Sequence, residues 1–347
     1  MDWSYIIVFS FLLLLSLFYK GERTKMVINY LCFNLFVLFF GLRGNVGDDY
    51  IAYESFYNSP SLHDGIVFGP FFTCLTHMCR LLHVPFQFFV FTLSFLTNTL
   101  LIRFVTMIKV NLPFTLAVFF ALGGVTNEID FIRNCLAIMI FLNTIVYIDG
   151  KLNLYIGGNI LGTMAHYSAI IYIPFYRITK FCLKRKHLIL TFLVCTLLFP
   201  LKIRFFDFLP TTALGQGSIL LEHFSKYISQ FSSLRLSFSF GVIERVCMAS
   251  LVILYFDKLT NATLYKVAVF AFAAYFSVYS LLSGYAVLAT RIGNLFSFSY
   301  WILIPAIYNC IENKKARSLY VAFYIIYMAL RIISLSTLPQ WKYQLCF

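Results

Sequence analysis

The sequence contains few charged side chains for its length. Its 347 residues include 27 lysines and arginines and 14 aspartates and glutamates, together 12% of the chain. Soluble domains have about 25% charged residues, so a water-soluble fold of this size could not cover its surface with so few charges. Hydrophobic residues make up 61%, and they form long runs rather than the alternating pattern of an outer-membrane barrel. We therefore predict an all-α, polytopic integral membrane protein with about 10–12 transmembrane helices and a single membrane domain over residues 1–347.

Several motifs of well-known chemistry are also absent. The sequence has no P-loop, no H-E-x-x-H pattern and no carboxylate cluster of metal-binding type, so we expect neither ATP-driven transport nor a metal or other cofactor. The nine cysteines include no C-x-x-C pair, and we interpret them as buried thiols. The net charge of +13 does not indicate nucleic acid as a partner, because the basic residues lie in short loops between apolar runs.

Twelve apolar segments are candidates to cross the bilayer, whose core needs about 20 apolar residues per helix. Several of the twelve are shorter than that. The segments are 3–19, 27–42, 66–82, 85–105, 112–125, 131–148, 154–176, 187–200, 240–256, 264–282, 292–310 and 318–335.

The distribution of basic residues predicts which side of the membrane each loop faces. Short loops at 20–25, 177–186 and 314–317 are rich in lysine and arginine, which is typical of the cytoplasm. The acidic loop 43–64 and the large loop 201–239 are then external. In a Gram-negative source, this external side is the periplasm.

One part of this topology has two solutions. If all twelve segments cross, Arg133 faces the cytoplasm. If instead segment 66–82 is a non-crossing external helix and 154–176 is a re-entrant pair broken near His166, both residues share the side of Arg43. Irregular backbone at membrane depth is tolerated where it lines a wet cavity. We prefer the second arrangement and keep the first open.

Ionisable residues at membrane depth are costly and therefore informative. The stretch "GLRGNVGDDYIAYESFY" places Arg43, Asp49, Tyr50 and Tyr53 at the outer end of the second segment. A guanidinium, two carboxylates and two phenols at a membrane surface could bind a phosphate and a sugar. Tyr50 and Tyr53 are three apart, so they would share a face of a following helix. The alternative is an interfacial anchor with a local ion pair between arginine and aspartate.

One such residue is singled out in each of three further segments. They are "EIDFIRNCLA" with Arg133, "MAHYSAIIYIPFY" with His166, and "ATRIGNLFSF" with Arg291. Each residue alone has a structural explanation. The arginines would snorkel from helix ends, and the histidine would be a hydrogen-bonded core residue.

Taken together, the order and spacing of these motifs resemble the EpsG-like branch of the Wzy-type polysaccharide polymerases, over roughly residues 27–310. The sequence departs from the family in having Asn134 where glutamine is common and Ala165 where phenylalanine is common. The element at 68–71, Phe-Gly-Pro-Phe, lacks the glutamate that often precedes it. The matching residues are Arg43, Gly47, Asp49, Tyr50, Tyr53, Ile132, Arg133, Ala137, His166, Ser168, Ala169, Pro174, Arg291, Ile292 and Phe296.

The resemblance implies an O-antigen or capsule polymerase that acts on the periplasmic face of a bacterial inner membrane. The donor is a growing glycan on undecaprenyl diphosphate, and the acceptor is the non-reducing-end sugar hydroxyl of a new lipid-linked repeat. The expected partners are this lipid-linked oligosaccharide, the bilayer, a chain-length regulator and a flippase.

The hypothesised mechanism assigns the charged residues to two tasks. Arg43, Arg133 and Arg291 form a diphosphate site, because guanidinium groups stabilise the charge of the leaving group. Asp49 or His166 is the base that takes the proton of the acceptor hydroxyl, and both remain open. Tyr50 and Tyr53 would bind the sugar.

Two other classes compete with this interpretation. A lipid-linked oligosaccharide flippase or transporter would also need cations in a cavity, but such proteins often contain internal repeats. We find no such repeat here. A membrane sugar O-acyltransferase would depend on a histidine-centred motif, for which His166 is the only basis.

Overall fold

The structure, a computed structural model, describes residues 1–60, 68–178, 180, 183–204 and 234–346. Most of the predicted large loop 201–239 and the end of the predicted acidic loop 43–64 lie outside these residues. The described residues form helices and no strand, apart from one isolated antiparallel bridge between Arg43 and Leu345. The predicted all-α class is confirmed.

The chain divides into two compact units, and each is described by itself. The first comprises Met1–Arg177 and Tyr300–Phe347, and the second comprises Ile178–Ser299. Both units contain candidate membrane spans. The expectation of one membrane domain stays a prediction.

The first unit contains most of the residues that the motifs single out. Short 3₁₀ turns extend or follow several of its helices, at Ile145–Tyr147, Tyr167–Tyr172 and Pro339–Trp341. Its helices are α1 (Trp3–Leu17), α2 (Glu22–Gly41), α3 (Tyr50–Asn58), α4 (Pro70–Leu81), α5 (Phe86–Met107), α6 (Leu112–Phe119), α7 (Val125–Ile129), α8 (Ile132–Thr144) and α9 (Leu152–Ala165).

The second unit is smaller, and its border with the first unit falls within helices. The helix α10 (Phe175–Ile178) ends at the first border, and α16 (Phe298–Cys310) contains the second. The helices of the second unit are α11 (Arg185–Leu198), α12 (Phe240–Leu254), α13 (Phe256–Thr260), α14 (Thr263–Leu281) and α15 (Ala286–Asn294), and the first unit resumes with α16 and α17 (Lys314–Ser336).

Among the described residues, five helices are long and apolar enough to cross a membrane. A sixth is added if α15 and α16 form one broken span. Shorter apolar helices, Trp3–Leu17 and Ile132–Tyr147, fall below that length. A multi-pass membrane protein is therefore confirmed, although fewer helices than the predicted ten to twelve meet the length criterion. The five are Glu22–Gly41, Phe86–Met107, Leu112–Ile129, Thr263–Leu281 and Lys314–Ser336.

Capping side chains explain where the helices α1 and α17 begin. Asp2 precedes α1 and its carboxylate accepts the Ser4 N–H at 2.9 Å. Asn313 precedes α17, and its Oδ1 accepts the N–H groups of Lys315 and Ala316. Both caps satisfy donors that a helix start leaves without an intrahelical partner.

The helix α4 begins and ends at the same end of the first unit. Phe68, just before it, accepts a hydrogen bond from Arg133 through its carbonyl oxygen. Val84, just after it, accepts one from the Tyr57 hydroxyl, and the Tyr57 ring lies 5.5 Å from that of Phe86. At 12 residues, α4 is also too short to cross. This arrangement agrees with the non-crossing helix predicted at 66–82.

The predicted break near His166 is also present. The helix α9 ends at Ala165, and His166 has an extended backbone. The chain then runs back along α9, because the Tyr155 hydroxyl donates to the Tyr172 carbonyl oxygen. The Tyr172 ring also stacks on Phe141 of α8, with centroids 4.3 Å apart. Segment 154–176 therefore reverses direction at His166.

Candidate active site

Four of the predicted site residues lie at one end of the first unit. Arg43 follows α2, Asp49 precedes α3, Arg133 lies in the first turn of α8, and His166 follows α9. Each residue thus sits at a helix terminus, where backbone groups are left unpaired and polar side chains are in demand. Backbone and side-chain contacts connect these four termini.

Arg43 is buried, with 1% of its surface exposed. Its Nη1 donates to the Phe40 carbonyl oxygen, and the Gln87 side chain holds the turn by donating to the Gly41 and Arg43 carbonyl oxygens at 2.8 and 2.9 Å. Its Nε has no hydrogen-bond partner in the described part of the chain. An incompletely paired guanidinium below the surface is costly and indicates a role beyond packing.

The last described segment of the chain covers this arginine. Gly44 donates to the Gln344 carbonyl oxygen at 2.7 Å, and Cys346 donates to that of Leu42 at 3.0 Å. The Gly47 N–H donates to the Gln340 carbonyl oxygen at 2.9 Å. A ligand could therefore touch the Arg43 guanidinium only if this cover moved.

Gly47 allows the acidic segment to pack directly on Asp130. Its φ is +91°, a value that favours glycine, and an added Cβ would lie 2.2 Å from Asp130 Oδ1 and 2.6 Å from Ile129 Cγ2. The Asp48 N–H donates to the same Oδ1 at 2.7 Å. One carboxylate thus fixes the backbone on which Asp49 sits.

Asp130 and Glu128 are buried acids that the sequence reasoning did not assign to the site. Their exposed fractions are 5% and 1%. Glu128 Oε1 has no hydrogen-bond partner among the described residues, and both acids act electrostatically on Arg43. Their signal in the sequence was two carboxylates, in "EID", between two apolar runs. That is the costly placement which had already singled out Arg133.

Asp130 lies just beyond the span Leu112–Ile129, and its proton affinity is high for an aspartate. The pKa of Asp130 is raised to about 7, mainly by burial and also by the neighbouring Asp49 carboxylate, while the hydrogen bond from the Asp48 N–H opposes both. Asp49 therefore lies beside a carboxyl group whose pKa is near neutral.

The two tyrosines of the motif have different surroundings. Tyr53 is 4% exposed, and its hydroxyl donates to the Asp130 carbonyl oxygen at 2.9 Å. Burial raises the pKa of Tyr53, and the nearby Arg133 guanidinium opposes that rise. Tyr50 is only half-buried and packs edge-on against Phe86 at 5.4 Å. Of the two, Tyr50 has the ring that a sugar could reach.

Arg133 lies in an aromatic cage. Its guanidinium carbon is 4.7 Å from the ring centroid of Phe68, 5.7 Å from Phe72 and 5.9 Å from Tyr53. Its Nη1 donates to the Phe68 carbonyl oxygen at 2.6 Å. Rings that face a cation hold it without neutralising its charge. Arg133 is only half-buried, so part of its side chain is exposed.

His166 connects to Arg133 through Gly69. The carbonyl oxygen of Met164 lies 3.1 Å from the position of a Cβ on Gly69, whose φ is +91°. The Phe-Gly-Pro-Phe element at 68–71 therefore packs on the turn before His166 with Gly69 and binds Arg133 with Phe68. The imidazole Nδ1 lies 2.5 Å from Ser168 Oγ and accepts the Ser168 N–H at 3.3 Å. Proton transfer by His166 would use Nε2.

Arg291 belongs to the second unit, in the last turn of α15, and is exposed. Gly293, two residues on, packs against Tyr279, whose ring lies 4.5 Å from the Arg245 guanidinium. Arg43, Asp49, Arg133 and His166 are therefore connected within the first unit, and Arg291 belongs to the second.

In the described part of the chain, no three histidine, cysteine, aspartate or glutamate side chains are grouped as a metal site would require. That the reaction needs no metal stays a prediction.

Comparison with known proteins gives one match. The model of the EpsG family matches residues 26–345, which is nearly the whole chain. The match includes all seven predicted site residues and the two buried acids. No curated protein and no solved structure matches the sequence.

Proposed function

The chain belongs to the EpsG family and is a multi-pass membrane protein of polysaccharide biosynthesis, and on this premise we propose that it is a polysaccharide polymerase. It transfers a growing glycan from undecaprenyl diphosphate to the non-reducing-end sugar hydroxyl of a new lipid-linked repeat, on the periplasmic face of the inner membrane. The main support is the contact chain from Gly47 through Asp130, Tyr53 and Arg133 to Phe68, Gly69 and the His166 turn.

The reaction forms one bond and breaks another at the same carbon. The acceptor oxygen bonds to the anomeric carbon of the donor, the bond from that carbon to the diphosphate oxygen breaks, and undecaprenyl diphosphate leaves with the electron pair. The acceptor proton passes to a base. Because diphosphate is a good leaving group, the protein must mainly stabilise its growing charge.

Arg133 is the group best suited to that task. It is half-buried, its planar donors match phosphate oxygens, and its aromatic cage fixes its position. Arg43 lies beneath the surface, so its contribution is the field of a fixed charge in a region of low dielectric constant. Arg291, the third arginine of the predicted diphosphate site, belongs to the second unit, and its part in that site stays a prediction.

The base is Asp49 or His166. Asp49 borders the buried Asp130, whose pKa is raised to about 7, and two neighbouring carboxylates disfavour each other's ionisation. His166 offers Nε2 while Ser168 holds Nδ1. Tyr50, with Tyr53 behind it, would bind the sugar of the acceptor.

A surface-polymer gel of a deletion strain tests this function against its alternatives. If the protein is a polymerase, the ladder of long chains disappears while single repeats still reach lipid A or the surface. Loss of all surface repeats would instead indicate a flippase. A complete ladder with altered serology would indicate an O-acyltransferase. Complementation with the wild-type gene controls for effects on neighbouring genes.

A further inference from the structure

The span Leu112–Ile129 is interrupted at its middle. Leu122 has φ −112° and ψ 66°, and Gly123 has φ 96°, so the helix breaks between α6 and α7. The Trp301 indole N–H donates to the Leu122 carbonyl oxygen at 2.9 Å. That bond satisfies an acceptor which the break would otherwise leave unpaired at membrane depth.

The break opens a small cavity on the surface of the first unit. Within 112–130, only Phe114, Gly123 and Thr126 are not buried. Gly123 and Thr126 are three apart and share a face, and they line a cavity of about 170 Å³ against the last turns of α17. Arg331 and Ser334 form the α17 side of this cavity.

Arg331 is a cation within a candidate membrane span. It is exposed, and with the described residues it makes no hydrogen bond or ion pair. It lies five residues before Ser336, the end of α17, or about 7.5 Å along the helix axis. A snorkelling arginine needs only to reach the interface. This one instead borders a cavity that contains a hydroxyl on each wall, at Thr126 and Ser334.

The cavity lies at the same end of the unit as the candidate active site. The Asp130 N–H donates to the Thr126 carbonyl oxygen at 2.9 Å, so Thr126 is one helical turn from the buried acid. At the end of α17, Ser336 accepts the Asp2 N–H at 2.9 Å, and the next segment continues to the bridge of Leu345 with Arg43.

The proposed reaction requires two diphosphates, but it consumes only one. The donor loses its diphosphate, whereas the acceptor reacts at the far end of its glycan and keeps its own. We propose that the Arg331 cavity binds the unreacting diphosphate of the acceptor lipid. Arg331 pairs with the phosphate oxygens, and the Thr126 and Ser334 hydroxyls donate to them. This inference rests on the proposed polymerase function and adds a second anion site to it.

Purified full-length protein in nanodiscs tests the inference, with a lipid-linked glycan as donor and a lipid-linked repeat as acceptor, each varied separately. Arg331→Gln should raise the KM for acceptor roughly tenfold and leave kcat and the KM for donor unchanged, because one charge-assisted contact is lost. Arg331→Lys should restore part of the acceptor affinity, since it keeps the positive charge but lacks the paired N–H donors of a guanidinium. Arg103→Gln is the matched control, because Arg103 is an exposed arginine near the end of α5 that is distant from the candidate site.

A binding measurement separates this inference from the proposed function. Native mass spectrometry with farnesyl diphosphate as the probe should count one fewer bound molecule for Arg331→Gln than for wild type. Wild-type activity with an unchanged acceptor KM in Arg331→Gln would overturn the inference and leave the polymerase function standing. If wild-type protein makes no polymer, the acceptor assignment fails together with the proposed function, whatever the binding count.

Discussion

The two ends of the first unit contain charged residues in opposite environments. At the end distant from the candidate site, Lys25 and Glu22 form an ion pair of 2.8 Å in which Glu22 is 91% exposed. That pair borders an open cavity of about 710 Å³ with Lys109 on its other side. At the site end, Arg43 and Glu128 are each 1% exposed. Charges that stay in water mark the topology, whereas buried charges need partners built around them.

Neutralising one cation at each end should give the largest contrast. Arg133→Gln should lower polymer formation at least about a hundredfold, because it removes charged donors from the developing diphosphate. Arg103→Gln should leave the polymer ladder unchanged. The ladders are compared at equal protein levels, measured by immunoblotting of membranes. A full-length ladder from the Arg133 variant at a normal protein level would mean that Arg133 is not part of the diphosphate site.

Alanine substitutions at two glycines with positive φ distinguish the cost of backbone strain from the cost of a steric clash. Gly47→Ala and Gly21→Ala both incur the cost of a left-handed residue, about 1–2 kcal/mol. Only Gly47→Ala also forces a methyl group against Asp130, since nothing lies within 4 Å of a Cβ at Gly21. We expect Gly47→Ala to lose most of its folded protein and its polymer, and Gly21→Ala to keep both. Fluorescence-detection size-exclusion chromatography measures the folded fraction.

Equal losses in the two glycine variants would mean that the contact of Gly47 with Asp130 contributes nothing beyond strain.

The buried acid should make thermal stability depend on pH. The pKa of Asp130 in the folded protein, about 7, exceeds the value of about 3.9 in an unfolded chain. The folded state therefore binds the proton more tightly, and its stability falls as pH rises from about 4 to 7. Asp130→Asn removes this dependence and keeps an acceptor for the Asp48 N–H. The variant should melt a few degrees above wild type at pH 8 and close to it at pH 5.

Thermal melts in detergent at the two pH values measure this difference, with Glu22→Gln as the exposed-acid control. An identical pH dependence of melting for wild type and Asp130→Asn would contradict the assigned burial.

The smallest effect is expected at the exposed pair. Lys25→Gln and Glu22→Gln should leave the melting temperature and the polymer ladder unchanged, because an exposed ion pair is screened by water and salt. Loss of the ladder in either variant would mean that the end of the unit distant from the candidate site is also needed for polymerisation. Lys25→Gln should therefore be compared directly with Arg133→Gln in the same strain.

Local chemistry allowed part of this arrangement to be predicted. The apolar runs predicted a helical membrane protein, and the distribution of basic residues favoured a break near His166. The run 112–125 predicts one helix, whereas the structure has a break at Leu122 and Gly123. Helical hydrophobicity at that point does not distinguish a straight span from a bent one.

Long-range contacts account for what could not be predicted. The burial of Arg43 depends on residues some 300 positions later in the chain, at Gln344 and Leu345. The support of Asp49 depends on Asp130 across a separation of about 80 residues. No local pattern encodes either pairing, so the acids at 128 and 130 had no apparent partner in the sequence.

The most direct test of the polymerase assignment is a reaction with purified protein and lipid-linked repeats as the only substrates. Undecaprenyl diphosphate release and glycan length are measured together. We expect wild type and Arg103→Gln to release one diphosphate for each new linkage, and Arg133→Gln to release almost none. Polymer made by Arg133→Gln at the wild-type rate, or no polymer from wild type, would contradict the assignment of glycan transfer to this end of the molecule.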